Sequence, residues 1–186
     1  MARGIAEWCY RRHVNSGITR FRSCPVTKAR CLTGLLHRSG AVYELISNVS
    51  TISRWSPNAT DAAYDPGAGP RAGAWFSGRN RKDGREWTTR SQVVRADPAI
   101  AFGFVVGGTE NGIVHWGWTL QPQGRGTIVQ QSWQLLRLDP VLGATRADLD
   151  ALRCYMADSV ETTLASLAHW IAGEPRPVET TDDSSS

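Results

Sequence analysis

The sequence predicts an α+β domain in which a curved antiparallel sheet is covered by one long helix. Two observations carry this prediction. Between residues 74 and 135, apolar and polar side chains alternate in short stretches that end at Gly, Pro, Asn or Asp, the pattern of half-buried strands joined by turns. Between residues 146 and 172, apolar residues recur at helical spacing. An antiparallel sheet with one apolar face needs a cover, and this helix supplies it.

A short helix opens the predicted domain. Four apolar residues at helical spacing define it: Val42, Leu45, Ile46 and Val49. A second helical turn is predicted over residues 52–55. It ends at Ser56, because the residue before Pro57 is disfavoured in helical conformation.

Five strands are predicted next. The alternating stretches cover residues 74–81, 86–96, 102–106, 114–120 and 128–135. Lys82-Asp83-Gly84 is a typical hairpin turn, which makes the first two strands neighbours. We expect one face of the sheet to point inward, and by parity it carries seven aromatic rings: Phe76, Trp87, Phe102, Phe104, Trp116, Trp118 and Trp133.

The last predicted element is a helix over residues 146–172. Its apolar stripe consists of Leu149, Leu152, Met156, Val160, Thr163, Leu164, Leu167 and Ile171. Thr145 and Asp148 form an N-terminal capping pattern, and Gly173 followed by Pro175 ends the helix.

The chain divides into three zones: a basic arm at 1–38 that is expected to be poorly ordered, a folded domain at 39–172, and a disordered polar tail at 173–186. Residues 1–40 carry eight basic side chains and one acidic side chain, a net charge of +7. Residues 41–186 carry thirteen basic and sixteen acidic side chains, a net charge of −3. The basic excess belongs to the arm, so no nucleic-acid interface is expected on the domain itself.

Several features favour a cytoplasmic location without a cofactor. No apolar stretch approaches the roughly 20 residues that cross a bilayer, and the first residues lack the apolar core of a secretion signal. Without an export signal, the four cysteines are expected to be free thiols. Their spacing does not match a zinc site, and no phosphate-binding loop, nucleophile elbow or HExxH motif is present.

The inward face allows two interpretations, a large aromatic core or the wall of a pocket for an apolar ligand. Its polar side chains are Asn80, Thr89, Ser91 and Gln131, which form hydrogen bonds but are poor acids and bases. They either bond locally or contact a ligand. No carboxylate or histidine of a strand has inward parity, since His115 points outward, and no catalytic residue is predicted.

Arg153 lies within the apolar stripe of the last helix. Either its stem follows the helix edge into water, or it stands at a cavity mouth and pairs with an anionic or carbonyl group of a ligand. Tyr155 lies off the stripe, and no role is assigned to it.

Several stretches of the sequence resemble a known family. They are AVYELISNVSTISRWSP (41–57), GAWFSGRNRKDGREWTTRSQVV (73–94), AFGFVVGG (101–108), HWGWTLQPQGRGTIVQQSW (115–133) and the C-terminal helix. Together they are similar to the polyketide cyclase/dehydrase and lipid-transport family of the START-like (SRPBCC) helix-grip superfamily, and most similar to its actinobacterial members. The most specific pieces are the Phe76-x-Gly78-x-Asn80 strand, Trp87 and the Gly126-Thr127 turn.

The resemblance covers about residues 40–172 and implies a helix-grip (START/Bet v 1-like) fold with an apolar cavity between sheet and helix. By position, the implied cavity walls include Trp55, Phe76, Asn80, Trp87, Phe104, Trp116, Trp118 and Met156. Ser91, Gln131 and Arg153 complete the predicted ligand-binding set.

Two positions depart from the family pattern. Relatives often carry Glu near the end of the last strand, where this chain has Gln131, so a carboxylate role there is not expected. Relatives begin with an edge strand and an Ala-Pro-Pro turn, whereas residues 30–40 neither alternate nor contain that turn. Either the first strand is missing, which leaves an unpaired sheet edge, or residues 31–37 pair weakly in its place.

The basic arm has three interpretations. It is a chance extension from a mis-assigned start or a shifted frame, an arm that binds nucleic acid or a membrane, or an Arg-rich transit peptide.

For the domain, the sequence favours binding of a small hydrophobic ligand, lipid-like or aromatic, as a carrier or sensor. The alternative is a polyketide cyclase/dehydratase-type enzyme that folds its substrate and favours an enol through hydrogen bonds. A third class is an interaction module that acts through the basic arm. The lack of an inward acid or base favours binding over catalysis.

Overall fold

A computed structural model describes residues 28–35, 37–139 and 145–173 of the chain. The elements run from β1 (Lys28–Leu35) through α1 (Ser39–Ser47) and a 3₁₀ helix (Val49–Arg54) to β2 (Ala59–Tyr64), β3 (Trp75–Lys82), β4 (Arg85–Asp97), β5 (Ala101–Val106), β6 (Val114–Gln123), β7 (Gly126–Leu135) and α2 (Arg146–Ala172). Residues 1–27 of the predicted arm, and the tail beyond Gly173, lie outside the described residues. The predicted α+β class is confirmed.

The seven strands form one antiparallel sheet in the order β1-β7-β6-β5-β4-β3-β2. From β2 to β7 the sheet is a meander, as the alternating pattern predicts. Asp83 and Gly84 turn the β3–β4 hairpin with φ values of 49° and 75°, the left-handed conformation that a two-residue hairpin loop requires. Register shifts in β2 and β4 mark bulges, which bend strands and increase the curvature of the sheet.

The sheet has a first edge strand. Lys28–Leu35 pairs with β7 along its whole length, from Lys28 opposite Gln134 to Leu35 opposite Thr127. The hypothesis that the first strand is missing is therefore wrong, and the strand begins inside the segment assigned to the arm. The sequence does not reveal it because residues 28–35 lack an alternating pattern.

The opposite edge strand, β2, has no counterpart in the predicted elements. Only Ala62 of its six residues is buried, so the segment lacks the apolar alternation that identifies a strand. Tyr64 Oη donates to the carbonyl of Ser47 at 2.8 Å, which connects the end of β2 to α1.

Both predicted short helices are present between the two edge strands in the chain, but Val49 opens the 3₁₀ helix instead of ending the first helix, and the second turn ends at Arg54. α1 buries Val42, Tyr43 and Ile46, and the 3₁₀ helix buries Val49. Asn48 caps the 3₁₀ helix, since its Oδ1 accepts a hydrogen bond from the N–H of Ser50.

The long helix α2 has the predicted bounds. The Thr145 hydroxyl accepts from the N–H of Asp148 at 3.2 Å, the Asp148 carboxylate accepts from the N–H of Thr145 at 2.9 Å, and Gly173 ends the helix at φ 74°. Its buried residues lie in the middle of the helix, between positions 159 and 167: Ser159, Val160, Thr163, Leu164, Ser166 and Leu167. Leu149, Leu152 and Met156 before this stretch are half-buried, as are Trp170 and Ile171 after it.

Candidate functional site

The inward face of the sheet carries a continuous chain of aromatic rings. Phe76 meets Phe104 edge-on at 4.9 Å between ring centroids, Phe104 lies 5.7 Å from Trp118, and Trp118 meets Trp55 at 6.0 Å. Phe102 packs against both Phe104 and Trp118. Tilted and edge-to-face contacts are the arrangements that aromatic rings prefer, and these side chains together form a continuous packed surface, the aromatic wall.

The structure brings most of the predicted ligand-binding residues onto this wall or its border. Six of them are buried: Trp55, Phe76, Ser91, Phe104, Trp118 and Gln131. Four are half-buried: Asn80, Trp116, Arg153 and Met156. The parity that the sequence assigns to β4, β6 and β7 agrees with the observed burial of alternate residues.

Trp87 is the exception, because 41% of it is exposed. It has the same parity as Ser91, as predicted. Ser91, however, pairs with Val106, the last residue of β5. Trp87 lies four residues before Ser91 on β4, in the part of the β3–β4 hairpin that extends beyond the end of β5. The ring of Trp87 therefore lacks the cover that its parity suggested, and the expectation that it joins the buried rings is wrong.

Two of the predicted polar residues bond locally. Asn80 Nδ2 donates to the Thr89 hydroxyl at 3.3 Å, and that hydroxyl donates to the carbonyl of Gly78 at 3.5 Å. This pair connects β3 to β4 beside the hairpin, where both side chains are half-buried. The local interpretation is the one that the structure supports for these two residues.

The polar atoms on β6 and β7 are arranged differently. Gln131 Oε1, Trp118 Nε1 and Trp133 Nε1 are buried and have no hydrogen-bond partner within the described structure. Trp118 lies directly opposite Gln131 in the β6–β7 register, and Trp133 is two residues further along β7 on the same face. A buried polar atom without a partner costs about 1–3 kcal/mol, so three on one face are a marked departure from ordinary packing.

Arg153 lies at the border of the site. Its side chain is 37% exposed, and its guanidinium is 4.0 Å from the Asp150 carboxylate on the same helix, a weak surface contact. This position agrees with a stem that follows the helix edge. Contact of Arg153 with a ligand remains a prediction.

Tyr155 has a role that the sequence did not indicate. Asn58 Nδ2 donates a hydrogen bond to Tyr155 Oη, and the Lys82 ammonium lies 3.2 Å from the centre of the Tyr155 ring. These contacts connect the amino-terminal half of α2 to the start of β2 and the end of β3. Tyr155 lies off the apolar stripe, and only the curvature of the sheet brings those strands to it.

No carboxylate, histidine, lysine or arginine of the described ranges is buried on the inward face, and the buried titratable side chain there is Tyr43, which packs edge-on against Phe102. Burial raises the pKa of Tyr43 and favours its neutral phenol. Within the described ranges no charged side chain is buried. His115 is half-buried on the opposite parity, and burial lowers its pKa. Burial also raises the pKa of Tyr155, which favours the neutral phenol.

No group of three or more His, Cys, Asp or Glu residues in the described ranges could hold a metal ion. The helices described are also not long and apolar enough to cross a membrane.

Solved structures share this architecture. The polyketide cyclase-like protein Cgl2372 from Corynebacterium glutamicum is 26% identical, with a TM-score of 0.57 over 78% of this chain and 91% of that one. The major latex-like protein 151 from Panax ginseng is 15% identical, with a TM-score of 0.57 over 77% of this chain and 95% of its own. The di-domain ARO/CYC protein StfQ of the steffimycin biosynthetic pathway is 14% identical, with a TM-score of 0.60 over 80% of this chain.

This chain covers 52% of StfQ, about half of that protein. The comparison with curated proteins finds no match. A sequence profile described as polyketide cyclase / dehydrase and lipid transport matches residues 40–170, which agrees with the resemblance found in the sequence. With the helix-grip architecture and a profile match over most of its length, the chain belongs to the polyketide cyclase/dehydrase and lipid-transport family.

Proposed function

We propose that the protein binds a small hydrophobic ligand between the aromatic wall and the amino-terminal half of α2, and that it acts as a carrier or sensor in the cytoplasm. The observation that carries this proposal is the uneven cover of the wall. All the buried residues of α2 lie between positions 159 and 167, whereas Leu152 and Met156 before that stretch are half-buried. A hydrophobic ligand can bind to apolar surface that the protein itself only partly covers, because the ligand removes that surface from water.

Other half-buried apolar residues support an entrance near one end of the sheet. Ile113, Trp116 and Leu135 pack against the buried core without being fully buried themselves. They lie near one another, since Leu135 pairs with Val114 and the backbone of Ile113 bonds to that of Val106. A ligand that enters here meets Trp116 first and the ring wall behind it.

The chemistry of the wall favours an uncharged ligand. A buried ion without a partner is strongly disfavoured, and within the described ranges no buried side chain carries a compensating charge. Burial of apolar area contributes about 25 cal/mol per Å², so a flat or greasy molecule gains most from this wall.

The alternative function is that of a cyclase/dehydratase-type enzyme, and the similarity to the ARO/CYC protein StfQ favours it. In that case the wall would hold a flexible chain in a reactive conformation, and hydrogen bonds would stabilise a developing enol. The side chains on the wall are neutral and include no strong base. Catalysis would therefore depend on the conformation in which the substrate is held and on hydrogen bonds to the developing enol.

The test is to incubate the full chain with an apolar extract of its own cells and to analyse bound and free fractions by mass spectrometry. A compound that is retained with unchanged mass supports a carrier or sensor. A compound that is consumed while a product lighter by one water appears supports the enzyme. Retention of nothing contradicts both.

The matched variants are Trp116→Ala and Trp75→Ala. Both residues are half-buried, but Trp75 has the outward parity on β3 and lies beside Arg90. Retention should fall for Trp116→Ala and stay unchanged for Trp75→Ala. Equal losses would place the binding elsewhere.

A further inference from the structure

Three buried polar atoms on the inward face of the sheet have no hydrogen-bond partner within the described structure, and together they comprise both donors and an acceptor. Two are indole N–H donors, of Trp118 and Trp133, and one is the carbonyl acceptor of Gln131. Trp118 and Trp133 are 2% and 1% exposed, and Gln131 is 2% exposed. All three lie on the inward face of the β6–β7 pair, at directly opposed or alternate positions.

Gln131 is the least expected member of this set. Among the described buried side chains it is the only amide, and the other buried polar ones are hydroxyls. Its neighbours of the same parity on β7 are Val129 and Trp133, both buried. Leu would fill a similar volume without leaving a carbonyl unbonded, so the carbonyl of Gln131 is unfavourable for folding.

We propose that Trp118, Gln131 and Trp133 recognise a hydroxyl or enol group on an otherwise apolar, uncharged ligand. A hydroxyl donates to the carbonyl of Gln131 and accepts from an indole N–H, so one group satisfies both kinds of atom. A ketone or ether accepts only and leaves Gln131 unbonded. A carboxylate also accepts only, and it brings a charge that no buried side chain of the described structure balances.

This inference rests on the proposed binding function and assigns the polar end of the ligand. The test compares three uncharged probes of the same ring system near neutral pH: 1-naphthol, 1-methoxynaphthalene and naphthalene. The full chain is labelled with ¹⁵N, and the indole N–H signals are followed in NMR titrations. Trp118→Phe and Trp133→Phe assign the two signals by their absence.

We expect 1-naphthol to bind at least tenfold more tightly than the other two probes, a difference of about 1.4 kcal/mol. We also expect it to shift an indole signal of Trp118 or Trp133 downfield. If all three probes bind equally, the hydroxyl assignment is overturned while the binding function stands. If none binds, this inference is overturned, and the proposed function is then decided by the extract experiment alone.

Gln131→Leu and Gln130→Leu are the matched variants. Gln130 lies next to Gln131 on β7 with the opposite parity and is half-buried. Gln131→Leu should abolish the preference for 1-naphthol and should raise the melting temperature of the ligand-free protein, because it removes an unbonded carbonyl. Gln130→Leu should keep the preference. A preference that survives in Gln131→Leu would overturn the role of Gln131.

Discussion

At the scale of single residues, the inward face of the sheet carries two tryptophans that are paired across neighbouring strands but differ in burial. Trp116 pairs with Trp133 across β6 and β7, yet Trp133 is 1% exposed and Trp116 is half-buried. The same substitution at these two positions therefore compares a ring that solvent does not reach with a ring that solvent partly reaches.

We expect Trp133→Ala to lower the free energy of unfolding by about 3–5 kcal/mol, because it leaves a closed cavity. Trp116→Ala should cost less, about 1–2 kcal/mol, since water already reaches part of its ring. Urea denaturation of both variants measures the difference. Equal losses would show that Trp116 is ordinary core and would weaken the proposed entrance.

His115 gives a residue-scale prediction about pH. Burial holds its pKa below the ordinary value in the folded protein, so the unfolded chain binds a proton more readily. Its contribution to stability is present above about pH 6.5 and is lost as the pH falls through the lowered folded pKa.

The pH dependence of stability near that range should weaken in His115→Gln, because the substitution removes the half-buried imidazole. Denaturation midpoints at pH 7 and at about pH 5.5 test this. An NMR titration of the His115 ring with a midpoint above its ordinary value would contradict the prediction.

At the scale of elements, four of the five strands that the sequence revealed have one buried and one wet face, and the fifth, β5, is buried on both faces. β3, β4, β6 and β7 alternate because each separates the core from solvent. β2, which buries one residue, escaped notice because it lies at the edge. β1 also lacks the pattern, and its pairing depends on β7, far along the chain.

The candidate site was predictable to a similar extent. Parity and helical spacing placed Phe76, Phe104, Trp118 and Gln131 on one surface, and all four are buried there. The exposure of Trp87 depends on where a neighbouring strand ends, and sequence parity carries no information about that. The contacts of Tyr155 depend on the curvature of the whole sheet.

The capping box of α2 gives an element-scale prediction. The amino-terminal half of the helix has few buried side chains, so its stability depends strongly on the reciprocal bonds of Thr145 and Asp148. Thr145→Ala should cost about 1 kcal/mol in free energy of unfolding. Asp150→Ala, in the same half but outside the box, is the control. Hydrogen exchange of the first two turns should rise in Thr145→Ala alone, and equal exchange would contradict the prediction.

At the scale of the whole molecule, the sheet depends on a strand from the very start of the described chain. β1 covers the edge of β7, which carries Val129 and Trp133 of the core. A chain that begins at residue 39 would leave that edge unpaired, and unpaired edges promote aggregation.

We therefore expect a chain that begins at residue 28 to keep the melting temperature of the full protein, and a chain that begins at residue 39 to melt lower and aggregate. Calorimetry and light scattering on both test this. Equal melting temperatures for the two would show that β1 contributes little to the sheet.

The position of β1 also has a consequence during synthesis. β1 leaves the ribosome first among the strands, but its only neighbour, β7, leaves last. At about 5–20 residues per second, the backbone of β1 waits several seconds for a partner, while the hairpins between β2 and β6 can already close. In that interval a nascent strand is prone to pair with another chain. The net charge of +7 on residues 1–40 opposes such pairing, because like charges on two chains repel each other.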